Sequence, residues 1–325
     1  MSQEFEFERP ISELEKRLSD LRSLSEEGHI DLSREISAIS EKIDAMKVEI
    51  FHSLEPWQVT QVARHLDRPS TLDYIKILCD DSFVEFKGDR LFGDDPAMVC
   101  GFGRFGKTSA VIIGHQKGHD TEENIHRNFG MPHPEGYRKS RRLMHLAEKF
   151  HKPIIIFIDT PGAFPGLGAE ERGQSEAIAR SIMEMSRMRV PILCFIIGEG
   201  GSGGALAVGI GDRVYMLEHA IYSVITAEGC AAILWKDAAK AREAASALKI
   251  RSSELLEAGI IDGVIPEPLG GAHHNSEFAA RVIGEIIQKE LPPLLALPVD
   301  ILLKKRYDKF RAMGKFKLEQ DSEHA

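Results

Sequence analysis

Three short segments of this 325-residue chain combine residue types and spacings that could do chemistry. Gly200-Gly201-Ser202-Gly203-Gly204 satisfies GxSxG, the turn that lifts a nucleophilic serine between a strand and a helix. A serine hydrolase built on Ser202 needs a base, for which His219 and His273 are candidates, and an acid such as Asp262. No local pattern selects any of them. The surplus glycine points to another chemistry. Adjacent glycines at a helix start let backbone N–H groups reach a ligand oxygen with no Cβ in the way, and the helix dipole favours negative charge there. Such an oxyanion hole, centred on Gly203 and Gly204, requires no nucleophile. The structural alternative is a glycine-rich close contact between helix and strand.

The second segment, Gly101-Phe102-Gly103-Arg104-Phe105-Gly106-Lys107-Thr108, fits both GxxxxGK[ST] and GxGxxG. Either pattern binds phosphate only where a helix follows the loop. Here Ser109-Ala110-Val111-Ile112-Ile113 follows, a β-branched run that predicts a strand and makes the glycines part of a hairpin turn. The third segment is Asp159-Thr160-Pro161-Gly162-Ala163-Phe164-Pro165-Gly166. It comes directly after an apolar run, where α/β folds build ligand crevices. Asp159 could serve as a general base, although an acidic residue capping a turn is commoner. Tyr137-Arg138-Lys139-Ser140-Arg141-Arg142 opens a helix whose charges could meet an anionic ligand or a partner, or simply form a solvated face.

The elements that must position these residues read as an α/β layer structure. Met98–Cys100, Ser109–Ile113, Pro153–Ile158, Pro191–Ile197, Val214–Leu217 and Ile221–Ile225 are strand-like, and the most apolar of them must be covered on both faces. Helices are expected at Gln174–Met188, with Ile178, Ile182 and Met185 inward, and at Gly229–Trp235. Ile11, Leu14, Leu18 and Leu21 form one helical stripe. After a break at residues 26–29, Leu32, Ile36, Ile39, Ile43, Met46 and Ile50 form another, which together predict a helical hairpin. From Pro298 a charged amphipathic helix carries Leu302, Tyr307 and Phe310, and the polar tail beyond it is expected to be disordered. The division is 1–56 helical arm, 57–298 catalytic-type domain and 299–325 C-terminal helix and tail.

Composition narrows the function classes. A chain of 325 residues can hold one large α/β core or two modest domains, and a hydrophobic content of 43% is enough to bury either. A formal charge of -9 argues against general nucleic-acid binding but leaves room for a local basic pocket. The four cysteines, Cys79, Cys100, Cys194 and Cys230, form no CxxC pair, so no metal site is expected in this chain. Neither a signal peptide nor a membrane span is expected, and the reading is cytoplasmic.

Several segments together resemble one family, the carboxyltransferase α subunits of bacterial acetyl-CoA carboxylase. They are Asn128–Pro132, Glu135–Lys139, Phe157–Ala163, Gly168–Ser175, Gly198–Ala205 and Ile265–His273. Trp57, Ala63-Arg64-His65, Arg68-Pro69 and Leu72-Asp73-Tyr74 fit as well, so the resemblance spans nearly the whole chain. It implies a crotonase-like (ClpP/crotonase) spiral of ββα units. It also implies transfer of a carboxyl group from carboxybiotin, held on a separate carrier protein, to acetyl-CoA, forming malonyl-CoA for fatty acid synthesis. The implied partners are a carboxyltransferase β subunit carrying a zinc ribbon (an α2β2 assembly), the biotin carboxyl carrier protein and biotin carboxylase. By the same resemblance Gly203 and Gly204 are the catalytic pair, assigned to the biotin side, with the thioester hole mainly in β. Gly162, Ala163, Phe164, Pro165, Gly166, Gly200 and Gly201 line the substrate site.

Overall fold

The computed structural model describes residues 5–28 and 31–314. One mixed sheet organises them. Its strands are β1 (Val84–Glu85), β2 (Met98–Phe105), β3 (Thr108–His115), β4 (Ile154–Thr160), β5 (Ile192–Gly201), β6 (Arg213–Leu217), β7 (Ile221–Ser223) and β8 (Gly263–Ile265). The order is β1-β2-β3-β4-β5-β6-β8, with β7 pairing on the last residues of β5. The first three strands are antiparallel, and from β3 onward every neighbour is parallel.

The β2–β3 hairpin disposes of the phosphate-loop reading. Met98 pairs with His115 and Phe105 with Thr108, so only Gly106 and Lys107 make the turn. Gly106 has φ +58, a conformation glycine adopts without cost, and Lys107 is exposed. A strand, not a helix N-terminus, follows the turn.

The central strands reach further than their apolar runs suggest. β4 is buried at every position and continues through Asp159 and Thr160, which the sequence placed in a loop. β5 likewise takes Gly198–Gly201 into the ladder, so the glycine run begins as strand and only then turns into helix. Glycine weakens a strand, but here close neighbours demand it, as described below.

The helices are α1 (Arg9–Gly28), α2 (Ser33–His52), α3 (Pro56–Ala63), α4 (Thr71–Cys79), α5 (Thr121–His126), α6 (Pro134–Lys149) and α7 (Leu167–Glu171). They continue with α8 (Gln174–Arg187), α9 (Ser202–Leu206), α10 (Ala227–Trp235), α11 (Ala241–Leu248), α12 (Ser252–Glu257), α13 (Ser276–Leu295) and α14 (Val299–Arg311). Helices α1 and α2 pack together; α1 runs through Glu26 and Glu27, past the expected break, and residues 29–30 lie outside the described residues. A second apolar cluster joins this pair to the body through Phe5, Ile11, Ile43, Phe51 and Leu54 against α3, α10 and α11. None of the described helices is long and apolar enough to cross a membrane.

The amphipathic C-terminal helix α14 is held differently from its apolar pattern. Leu302 is buried, but Tyr307 is exposed and the inward anchor is Arg306, 1% accessible. Its guanidinium donates to Asp212 Oδ1 (2.9 Å) and Oδ2 (2.6 Å) and to the carbonyls of Met185 (2.9 Å), Met188 (2.8 Å) and Val190 (2.9 Å). The planar fork of arginine satisfies the Asp212 carboxylate and three carbonyls at once, including those at the end of α8. The polar tail, from residue 315, lies outside the described residues.

Removing one partner of a buried pair leaves the other charge uncompensated, at about 3–5 kcal/mol. Arg306→Ala is expected to lower unfolding stability by an amount of that order in urea titration, with little recovery in Arg306→Lys. A loss under about 1 kcal/mol, the range of an exposed pair, would show that the cluster holds nothing.

Candidate active site

Where β4 and β5 leave the sheet, their backbones close onto each other. The register pairs Thr160 with Gly200 after a local irregularity beyond Ile158. A Cβ added at Gly198 would sit 2.5 Å from Asp159 Oδ1, and one at Gly201 only 2.2 Å from the Pro161 carbonyl oxygen. At Gly204 it would meet the Gly162 carbonyl carbon at 2.5 Å and the Ala163 nitrogen at 2.7 Å. Gly200 faces the Tyr222 ring, 2.7 Å from a would-be Cβ. Gly203 differs: its Cβ position has only ordinary contacts with Ile178, the nearest at 3.6 Å.

Two of the glycine-containing segments singled out from the sequence, Gly200–Gly204 and Asp159–Gly166, therefore meet, through Gly204 against Gly162 and Ala163. The rest of the Asp159–Gly166 loop turns away. Phe164 stacks on His133 at 4.2 Å between centroids, and its N–H donates to the Pro132 carbonyl at 3.0 Å. Gln174 Nε2 donates to the carbonyls of both Pro132 (2.9 Å) and Phe164 (3.0 Å), fixing the bend from beneath. Gly166 packs against the Phe164 ring, and Pro165 is exposed.

Ser202 opens α9 with φ +50, a left-handed conformation uncommon outside glycine. No side chain caps this helix, so the N–H groups of its first turn have no intrahelical acceptor. The proposed triad partners of Ser202 are engaged elsewhere. His219 Nδ1 lies 3.3 Å from Glu267, His273 stacks on His65, and Asp262 accepts from the Val214 N–H and pairs with Lys309. Ser202 instead borders an apolar cavity of about 370 Å³ with Leu206, Tyr222, Phe310 and Met313.

A charged cluster that the sequence reading missed lies on the other side of these strand ends. Lys117 Nζ is 2.7 Å from Asp159 Oδ1 and 2.8 Å from Glu199 Oε2, while the Glu199 N–H donates to Asp159 Oδ1 at 2.9 Å. Arg64 bridges Glu199 and Glu228, both at 2.6 Å. Burial would push Lys117 down, but the two carboxylates outweigh it and hold the ammonium charged. Burial likewise opposes ionisation of Glu199, and Lys117 and Arg64 keep its carboxyl below the usual range. Arg64, Lys117, Asp159 and Glu199 line a cavity of about 330 Å³ with His65, Arg68, Ser70 and His119. One signal was available, a lone Glu199 inside a glycine run at the end of a buried strand. Lys117, two residues beyond the end of β3, carries no such mark.

The basic run opening α6 is consumed internally. Arg138 pairs with Asp89 (2.8 Å) and Glu135 (2.9 Å), and Arg141 with Glu184 (3.4 Å). Lys139, fully buried, donates to Asp94 (2.6 Å) and to the Asp95 carbonyl (2.9 Å). Of the readings open for this segment, a solvated face is excluded for Lys139.

Comparison with known proteins settles the family. The profile of the family "Acetyl co-enzyme A carboxylase carboxyltransferase-like" matches residues 4–314. A curated protein of Halalkalibacterium halodurans, named acetyl-coenzyme A carboxylase carboxyl transferase subunit alpha, is 53% identical over 322 residues, covering 99% of both chains. The chain belongs to this family. A like-named protein of Carboxydothermus hydrogenoformans is 54% identical over 310 residues, 95% of this chain and 96% of that one. Among solved structures, transcarboxylase 12S aligns with TM-score 0.54 at 21% identity, over 67% of this chain and 40% of that one. A Pseudomonas malonate decarboxylase hetero-tetramer in complex with coenzyme A aligns with TM-score 0.58 at 15% identity, over 75% and 92%. These likenesses establish the crotonase-like fold of this carboxyltransferase family member.

At the rim of the charged cavity, His119 gives a titratable marker. Its Nε2 lies 2.8 Å from Asp73 and its Nδ1 2.8 Å from the Leu66 carbonyl. The bond to Asp73, against burial and aided by the Leu66 carbonyl, raises it to about 9. Because the folded value is raised, its stabilisation is complete below the free value near 6.5 and fades as pH climbs through about 9. Histidine NMR should show His119 titrating near 9, and the stability gap between wild type and His119→Gln should shrink over that interval. A gap that widens with rising pH contradicts this geometry.

Proposed function

We propose that this chain is the α half of a split, biotin-dependent carboxyltransferase, moving a carboxyl group from carboxybiotin on a carrier protein to acetyl-CoA to make malonyl-CoA. The observation that carries the reading is the near-full-length match to proteins named as that subunit. The proposed partners are a β subunit in an α2β2 assembly, the biotin carboxyl carrier protein and biotin carboxylase, working in the cytoplasm. The proposed division keeps residues 1–56 as an arm, 57–298 as the catalytic body and 299–325 as the C-terminal helix and tail.

The geometry is compatible with a biotin-side oxyanion hole at Gly203 and Gly204. Gly203 is half-buried, and the direction its Cβ would take is open apart from Ile178. Its neighbour Gly204 is buried against the Gly162–Ala163 backbone, which holds the first turn of α9 in place. Carboxybiotin, when bound, supplies the carboxyl group. The chain's own part is to present fixed backbone N–H donors to a developing negative charge, which costs little reorganisation because they are already placed. No seryl intermediate is needed, and Ser202 supplies backbone only. Gly162 and Ala163 shape the wall opposite, with Phe164–Gly166 bracing it and Gly200 and Gly201 forming the floor.

A partner is also favoured by the surface. Val224, beside the apolar cavity, is 75% exposed, and Ile233 and Leu234 on α10 are 69% and 66% exposed. Exposed large apolar side chains of this kind mark surfaces that a second protein covers.

Purified alone, the chain should form almost no malonyl-CoA from carboxylated carrier and acetyl-CoA, and co-assembly with the β subunit should restore turnover. Ser202→Ala in the assembled enzyme should keep kcat within a few-fold, against the loss of about 10⁶ typical of a removed nucleophile. Robust turnover by the single chain, or abolition by Ser202→Ala, would overturn the split-site reading.

A further inference from the structure

His273 closes the segment Ile265–His273 that helped identify the family, yet the site at β4 and β5 makes no use of it. With His274 it forms a short 3₁₀ turn, Ala272–His274, that leads into α13. Glu8 ends a second 3₁₀ turn, Glu6–Glu8, that leads into α1. Glu8, His273 and His274 each offer one ligand atom, and the three atoms lie within 4.8 Å of one another. From this convergence of two imidazoles and a carboxylate we propose a divalent transition-metal site, with Zn²⁺ as the best-suited ion, joining the N-terminal arm to the body.

Several features make the cluster suited to a metal. Two imidazoles and one carboxylate are a donor set that zinc accepts, with a fourth tetrahedral position left for water or another ligand. His273 Nδ1 is buried and has no hydrogen-bond partner in the structure. The rings are held from behind. His65 stacks on His273 at 4.1 Å and 14°, and the His273 and His274 centroids are 4.5 Å apart. Gly270 (φ +91) and Gly271 (φ +100) allow the loop to fold back beneath both rings, where a Cβ would lie 2.5 Å from His274 and 2.9 Å from His273.

The site departs from the expectation that this chain holds no metal. That expectation rested on cysteine spacing, and these ligands come from opposite ends of the sequence, where no spacing rule reaches. A metal here would anchor the turn before α1 onto the loop before α13. It would supplement the apolar contacts of Phe5 and Phe51 with His65 and His219, which are 5.4 and 5.6 Å between centroids.

The test uses the full chain without an affinity tag and without the β subunit, so that zinc expected in β does not contribute. After chelation and dialysis, it is titrated with Zn²⁺ by calorimetry and with Co²⁺ by visible absorption, alongside His274→Gln and Glu8→Gln. His274 is exposed, so its replacement should fold normally. The expected result is one equivalent of Zn²⁺ per chain, a Co²⁺ spectrum with nitrogen ligation, and a rise in Tm on metal addition. Loss of an outer-shell partner costs about 10–100-fold in metal affinity, and loss of a direct ligand costs no less. Each variant should therefore weaken binding by at least that factor and lose the Tm rise. Absence of stoichiometric binding by the wild type, or equal affinity in all three proteins, overturns the proposal.

Discussion

Two backbones approach without side chains between them where β4 and β5 leave the sheet, and the geometry of the site follows from that contact. Gly201 against Pro161, and Gly204 against Gly162 and Ala163, leave no room for a methyl group. The approach places the start of α9 directly over the loop after β4. On the opposite side the same strand ends carry Asp159 and Glu199, two carboxylates that would repel if left alone. Lys117 lies between them within 2.8 Å of each, and Arg64 takes the remaining oxygen of Glu199. The glycines permit the close approach and the half-buried Lys117 cation neutralises the charge that comes with it. Neither device works without the parallel pairing of β4 and β5, which are buried almost throughout.

How much of this was legible depended on how locally each feature is encoded. The buried parallel strands, the β2–β3 hairpin and the α1–α2 stripes are written as short-range apolar patterns, and the structure contains all of them. Strand ends were less legible because Asp159, Thr160 and Gly198–Gly201 are paired by the sheet rather than by their own propensity. Tyr307 was expected on the inner face of α14 and is exposed, whereas Arg306 is buried. Hydrophobic periodicity cannot foresee an arginine whose five hydrogen bonds are supplied by a distant aspartate and three carbonyls. Lys117 was invisible for the same reason. A buried charge is defined by its partners, and those lie far away in sequence.

The distribution of charge also bears on how an acidic chain serves an anionic substrate. The basic run 138–142, the obvious electrostatic candidate, is tied to acidic groups and carbonyls of this chain, with Lys139 wholly interior. On the reading proposed above, rigid backbone donors at the strand ends would supply what mobile surface charges do not, a fixed orientation toward developing negative charge. Val224, exposed beside the cavity that Ser202 borders, suits a site completed by a second subunit.

The most direct test compares Gly204→Ala with Gly203→Ala in the assembled enzyme, measuring kcat for malonyl-CoA formation and the position of residues 162–163 by crystallography. Gly204→Ala should displace that loop and lower kcat by about 10²–10³, the usual effect of losing an oxyanion donor. Gly203→Ala, with space for its methyl group, should assemble with unchanged loop positions. Near-wild-type kcat and an undisturbed loop in Gly204→Ala would contradict the account.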